Sequence, residues 1–293
     1  MKLPQLRPRA RLEVVRKWIW GYLMEVAAKD IGTYAASTTF FLFLSLIPIM
    51  MLVSFVIPYF GLDEAAMVRW ATQITPDFID GLITQIIHEA NKNAAGLVPI
   101  SLSVIIWSVA KSIIALMKGL KLVYEVEKPQ QILVVRLKAV LYVILMLIFL
   151  MITFGFILFG RYLRQWMRAN LSDIPFVVQV MYYWRHIFAF IIMILFLLFI
   201  YTYVSEVRGG FRKQMPGAII TAALWYIYTM VFSIYASSVQ NYSILYGSVA
   251  VFVVLLLWLY SCMFILFLGG SLNHYRMKSR ELVDAPTSES ENA

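Results

Sequence analysis

The chain predicts an all-α polytopic membrane protein: six transmembrane helices preceded by an N-terminal interfacial amphipathic helix. Composition points there first. Of 293 residues, 61% are hydrophobic and only 14% charged, with a mean hydropathy of +0.78, whereas a soluble domain carries about a quarter charged residues. Spacing points the same way. A bilayer core of about 30 Å needs roughly 20 apolar residues per helix, and six segments meet that length: 34–59, 97–117, 137–160, 185–204, 215–238 and 245–272. These continuous runs show no alternation of period two, which argues against an outer-membrane barrel. Charge placement is the third observation. The N-terminal stretch, the 118–138 and 205–213 links and the tail hold 18 Lys and Arg, and the opposite loops hold 6. Positively charged loops stay inside, so both termini are expected in the cytoplasm and the protein in the plasma membrane.

Residues 1–33 form a basic amphipathic segment. Val14, Trp18 and Tyr22 share one helical face, with Arg16 and Lys17 elsewhere, the pattern of a helix lying on a leaflet and drawn to anionic lipids. This stretch is too long for the basic region of a signal peptide, so the first span is expected to remain in the mature protein. Within residues 34–273, the first span holds Pro48, which should kink it rather than end it. The outer loop 60–93 is expected to form two short amphipathic helices broken at Thr75-Pro76. The second span carries Lys111. The third and fourth spans are nearly uninterrupted apolar runs, and "RYLRQWMRANL" between them has an interfacial character. Met215-Pro216-Gly217-Ala218 opens the fifth span, Pro being ordinary in a first helical turn, while Gly217, Ala218, Thr221 and Ala222 form a small-residue packing face. The last two spans are joined by a short uncharged link. There Asn241 and Ser243 suit a turn, Tyr242 and Tyr246 an interfacial aromatic belt, and Gly247 a close helix approach. The polar tail 274–293 is expected to be disordered.

Catalytic chemistry finds little footing. All 16 Asp and Glu lie outside the spans, the three histidines are scattered, and no metalloprotease, nucleophile-elbow, P-loop or dinucleotide-binding motif occurs. The lone cysteine, Cys262, excludes a disulfide framework and a thiolate cluster. No catalytic residue, cofactor or metal ligand set is therefore expected. His88-Glu89 reads as a solvated helix face, and Glu125, Glu127 and Glu206 as partners of nearby Lys and Arg. The basic excess is accounted for by topology, so no nucleic-acid partner is expected. The bilayer is the expected partner; the oligomeric state is left open.

Lys111 is the sharpest position. An ammonium within a span costs about 3 kcal/mol on insertion scales and by default marks function. It shares a helix face with Trp107 and Lys118. Two readings follow: Lys111 faces the bundle interior and binds an anionic group such as a lipid phosphate, or it snorkels to the headgroups. Pro48, Tyr242, Tyr246 and Gly247 join Lys111 and Trp107 as candidate functional residues.

Several stretches resemble the YihY/BrkB family of bacterial inner-membrane proteins, once labelled ribonuclease BN. They are "AASTTFFLFLSLIPIM", "WSVAK" with "LKLVY", "MPGA", "YSILYGSVAVFVVLLLWLY" and "LGGSLN". The resemblance covers residues 35–273 and implies six helices in the plasma membrane, without an agreed activity. Lys121 stands where the family usually has Asn, and Ser271 where it often has Glu; a pairing made by that acid is absent here or made differently. Together these features suggest a protein that transports or handles an amphipathic or anionic solute such as a lipid. A non-transporting envelope assembly factor is the alternative. A ribonuclease is the least supported reading, since no acid cluster is evident to hold catalytic metals.

Overall fold

A computed structural model describes residues 8–56, 64–74, 80–126, 131, 133–145, 187, 190–205, 207, 210–239 and 248–284. Its elements are helical, and no strand occurs among the described residues. In chain order they are α1 (Pro8–Ala27), α2 (Ile31–Val56), α3 (Glu64–Ile74), α4 (Asp80–Val123), α5 (133–145), α6 (Phe190–Val204), α7 (Gly210–Val239) and α8 (Ser248–Asp284). Stretches of α4, α7 and α8 are long and apolar enough to cross a membrane, and parts of α2 and α6 are shorter apolar helices. The expected all-α membrane architecture is what the chain adopts.

Four boundaries differ from the sequence expectation. The outer loop's second helix and the second span are one helix, α4, of 44 residues, running without a break through Gly96 and Pro99. At 1.5 Å per residue that is about 66 Å, twice the bilayer core. Its polar first half is held by packing that local pattern does not reveal: Ile83 and Ile87 are buried with Ala71 of α3, Phe232 and Ala236 of α7, and Leu255 of α8. His88 Nδ1 and Glu64 Oε1, 2.9 Å apart, tie α3 to the same stretch. Second, α7 begins at Gly210, so Pro216 lies inside the helix rather than in its first turn. Third, α8 continues to Asp284. Residues 274–284 are therefore helical where a disordered tail was expected, and α1 packs against Tyr275 at the start of this extension. Fourth, α2 starts at Ile31 rather than at about 34; it continues past Pro48, as expected.

The larger core lies at the end of the bundle that carries α1 and the C-terminal half of α8. Ile31 and Ala35 of α2, Ile113 to Val123 of α4, Leu197 to Val204 of α6, Ala218 and Ala222 of α7, and Leu266 and Phe267 of α8 meet there. α6 closes in a π-helical turn, Ile200–Val204, with Ser205 N–H donating to Ile200 O at 3.2 Å. Such turns are uncommon, and this one contains Tyr201, which is fully buried. The small-residue face of α7 packs as expected, with Gly217, Ala218, Thr221 and Ala222 all buried.

Gly217 and Gly269 mark the closest approach of α7 and α8. A Cβ on Gly217 would run into Gly269 O and the Asn273 side chain, and one on Gly269 into Thr221 Oγ1 and the Tyr201 hydroxyl. Both neighbours include groups that cannot retreat without breaking hydrogen bonds. Gly217→Val and Gly269→Val are each expected to destabilise by about 1–3 kcal/mol or prevent folding. Gly81→Ala, with nothing within 4 Å, should be tolerated. Thermal unfolding of the detergent-solubilised variants checks this, and a Gly217→Val protein as stable as Gly81→Ala would contradict the close-packing assignment.

Candidate functional site

Pro216 removes one backbone donor from the interior of α7 and its ring crowds the preceding turn, which opens local hydrogen bonds. Asn273 of α8 bonds the backbone on either side of the proline. Its Oδ1 accepts from Gly217 N–H at 2.7 Å and its Nδ2 donates to Gln214 O at 3.0 Å. One buried amide thus engages a backbone donor and a backbone acceptor of α7 at the interruption. Gln214 extends the network, its Oε1 accepting from Tyr124 OH at 2.6 Å. A second buried node lies one helical turn away. Tyr201 OH donates to Leu266 O at 2.6 Å and shares a 2.8 Å hydrogen bond with Thr221 Oγ1. Together these bonds join α4, α6, α7 and α8.

An ionic clasp lies beside this network. α4 ends in a Schellman turn: Val126 N–H bonds Lys121 O at 2.9 Å and Glu125 N–H bonds Leu122 O at 3.2 Å. That turn requires a left-handed residue, usually glycine, at its penultimate position. Glu125 occupies it with φ 54°. Its carboxylate is held from three sides, by Lys29 Nζ at 3.2 Å, Lys278 Nζ at 3.4 Å and His274 Nε2 at 3.4 Å. Lys29 also reaches Glu25 Oε1 at 2.9 Å and donates to Val123 O at 2.7 Å, so one ammonium caps the C-terminus of α4, where positive charge is favoured. Burial alone would raise the Glu125 carboxyl. The hydrogen bond and charge of Lys29, with His274 and Lys278 behind it, reverse that and hold it below the ordinary carboxylate range. α1 completes the clasp. Tyr22 OH donates to Leu268 O at 2.9 Å, and Trp18 meets the Tyr275 ring edge-on with centroids 5.1 Å apart. The Trp18 and Tyr22 face of α1 therefore docks on α8, while Trp20, 66% exposed, and the exposed Ile19, Leu23 and Met24 form a second apolar face beside exposed Arg16 and Lys17.

Of the sequence-predicted residues, Lys111 and Trp107 have described side chains. Lys111 is exposed, not turned into the bundle as one reading expected. The inward side of α4 is taken by Ser108 and Ser112, whose small hydroxyls fit against α2; Ser112 Oγ donates to Thr38 O at 3.0 Å. Trp107, 55% exposed, packs edge-on against Phe41 of α2 with centroids 5.9 Å apart. Pro48 lies within helical α2, and its side chain falls outside the described residues, as do Tyr242, Tyr246 and Gly247. His88 pairs with Glu64 on the exposed surface, and Glu125 is indeed a partner of lysines. Ser271 is buried and its Oγ has no hydrogen-bond partner. Asn273, Tyr201 and Lys29 were not singled out. The "MPGA" and "LGGSLN" stretches were visible separately, but nothing in the linear pattern says that one caps the other.

Comparison with known proteins follows this geometry. The virulence factor BrkB family matches residues 23–292. A Bacillus subtilis (strain 168) protein named as ribonuclease-like, YfkH, is 26% identical over 253 residues, 85% of this chain and 91% of its own. The UPF0761 membrane protein PSHAa0171 of Pseudoalteromonas translucida is 33% identical over 73 residues, 25% of this chain and 24% of its own. The UPF0761 membrane protein Smlt0865 of Stenotrophomonas maltophilia is 40% identical over 62 residues, 21% of this chain and 15% of its own. No solved structure matches.

Two outcomes test the site. Asn273→Leu keeps the branching at Cγ but removes the hydrogen bonds to Gly217 N–H and Gln214 O, and is expected to cost about 0.5–1.5 kcal/mol for each bond lost; a Tm equal to wild type would show that α7 does not depend on Asn273. The clasp should behave as a depressed carboxylate requires: its stabilisation is present above the ordinary carboxylate range and is lost as pH falls through the lower folded-state value. Lys29→Met raises that value, so release of α1, followed by limited proteolysis, should begin at a higher pH than in wild type.

Proposed function

We propose that this chain, which belongs to the virulence factor BrkB family, binds and moves an anionic amphiphile, a lipid with a phosphate headgroup, along the outside of α4. The chain is an integral membrane protein; the lipid-handling role is the reading its surface supports best. The observation that carries it is the exposed stripe Val104, Trp107, Lys111, Lys118 and Leu122, which shares one face of α4. Residues three, four and seven apart stack on one side of a helix. Lys111 lies about 10 Å along the axis from Lys118 at 1.5 Å per residue. An ammonium on an outward apolar face is costly unless a counter-charge meets it. A lipid phosphate offers that counter-charge at the depth where Trp107 presents an aromatic surface, and Lys118 offers a second station nearer the headgroups.

The orientation that fits this role places α1 and the end of α8 in the cytoplasm, where basic residues accumulate. The outward face of α1 supports it, because Trp20 and Met24 beside Arg16 and Lys17 suit a leaflet rich in anionic lipid.

Proteoliposomes carrying fluorescent phosphatidylglycerol or phosphatidylcholine measure the proposal directly. The wild-type protein is expected to move the anionic probe between leaflets faster than the zwitterionic one. Lys111→Met should slow this roughly tenfold, the worth of one charge-assisted hydrogen bond, with the fold intact by size exclusion. Equal rates for wild type and Lys111→Met, or no movement of either probe, would overturn the reading and favour a non-transporting envelope factor.

A further inference from the structure

Glu25 of α1, Glu125 after α4 and His274 of α8 each turn one ligand atom toward a common point, and the three atoms lie within 4.8 Å of one another. His274 Nε2 is 3.4 Å from Glu125 Oε2 and 3.8 Å from Glu25 Oε1. Ligands held at about 2.0–2.2 Å around a tetrahedral Zn²⁺ lie roughly 3.3–3.6 Å from each other, so the two spacings to His274 need shifts of only a few tenths of an ångström, and the two carboxylates have to close on the ion from within 4.8 Å. His274 supplies an independent sign. Its ring is 13% exposed, and Nε2 points between the two carboxylates, its 3.4 Å contact with Glu125 Oε2 being an ion-pair distance without hydrogen-bond geometry. A buried ring nitrogen so placed is open to a better partner.

The space is not without a cation. Lys29 Nζ spans Glu25 and Glu125 at 2.9 and 3.2 Å, and Val123 O, 2.7 Å away, offers the same ammonium a third acceptor. Lys29 can therefore keep Val123 O while yielding the carboxylates. One imidazole with two carboxylates suits first-row divalent ions, whereas Mg²⁺ and Ca²⁺ prefer oxygen ligands throughout.

We propose that Glu25, Glu125 and His274 form a binding site for a first-row divalent cation, best met by Zn²⁺, in which the metal and the Lys29 ammonium are alternative occupants between the two carboxylates. Because the three ligands come from α1, the turn after α4, and α8, occupancy fastens α1 to the end of the bundle.

Full-length protein without an affinity tag, in detergent, is titrated with ZnCl₂ by calorimetry and followed by thermal unfolding, with MgCl₂ in parallel. The expected result is one equivalent of Zn²⁺ bound with a rise in Tm, no comparable response to MgCl₂, at least tenfold weaker Zn²⁺ binding in His274→Ala and Glu125→Gln, and tighter binding in Lys29→Met. Should His274→Ala fail to fold, Glu25→Gln takes its place in the comparison. Undiminished Zn²⁺ affinity in the ligand variants, or no binding by either wild type or Lys29→Met, overturns the proposal.

Discussion

The crossing of α7 and α8 is the constraint on which the rest of the bundle depends. A proline inside a membrane helix strands backbone groups where no water can reach them, and each stranded group is expensive in hydrocarbon. Asn273 braces the backbone around Pro216 by bonding Gly217 N–H and Gln214 O at once. It can reach them only because two glycines let the backbones approach so closely. Proline, glycine pair and asparagine are therefore one device, divided between two helices 56 residues apart in the Gly217–Asn273 pairing.

From that crossing the polar network spreads without leaving the low-dielectric interior. Gln214 hands the contact to Tyr124 at the end of α4, and Tyr201, presented by the π turn of α6, locks onto Thr221 and the α8 backbone. Buried polar groups that are paired fix one arrangement of otherwise greasy helices, which apolar packing alone would leave free to slide. Outside it the ionic clasp performs a related task where water begins. Lys29 neutralises two carboxylates and a helix terminus together, and Glu125 adopts a backbone conformation that glycine would hold more cheaply. The clasp binds α1 to the bundle while leaving Trp20 and Met24 facing outward.

The stripe through Trp107 and Lys111 lies on the outside of α4, where a lipid can reach it, and the clasp lies where α1 meets α8. The inward side of α4 is occupied by serines against α2 and by apolar side chains, which is why Lys111 points away from the bundle.

Much of the architecture was legible from composition and spacing. Apolar runs of about 20 residues have few alternatives to membrane helices, and the packing face Gly217, Ala218, Thr221 and Ala222 could be read from its small side chains. Helix ends were less legible. Gly210 rather than Met215 begins α7, and residues 274–284 extend α8, because tertiary contacts with Asn273, Trp18 and Tyr22 stabilise turns whose local composition is ambivalent. The polar first half of α4 is likewise helical because Ile83 and Ile87 are buried by other helices. The sequence by itself determined that this chain lives in a membrane and which family it resembles. Those properties follow from the solubility of each segment, a local quantity. Only the tertiary structure decided that Asn273 caps the Pro216 interruption, that Lys111 faces outward, and that Glu25, Lys29, Glu125 and His274 meet, because hydrogen bonds and charges act over a few ångströms between residues the chain keeps far apart.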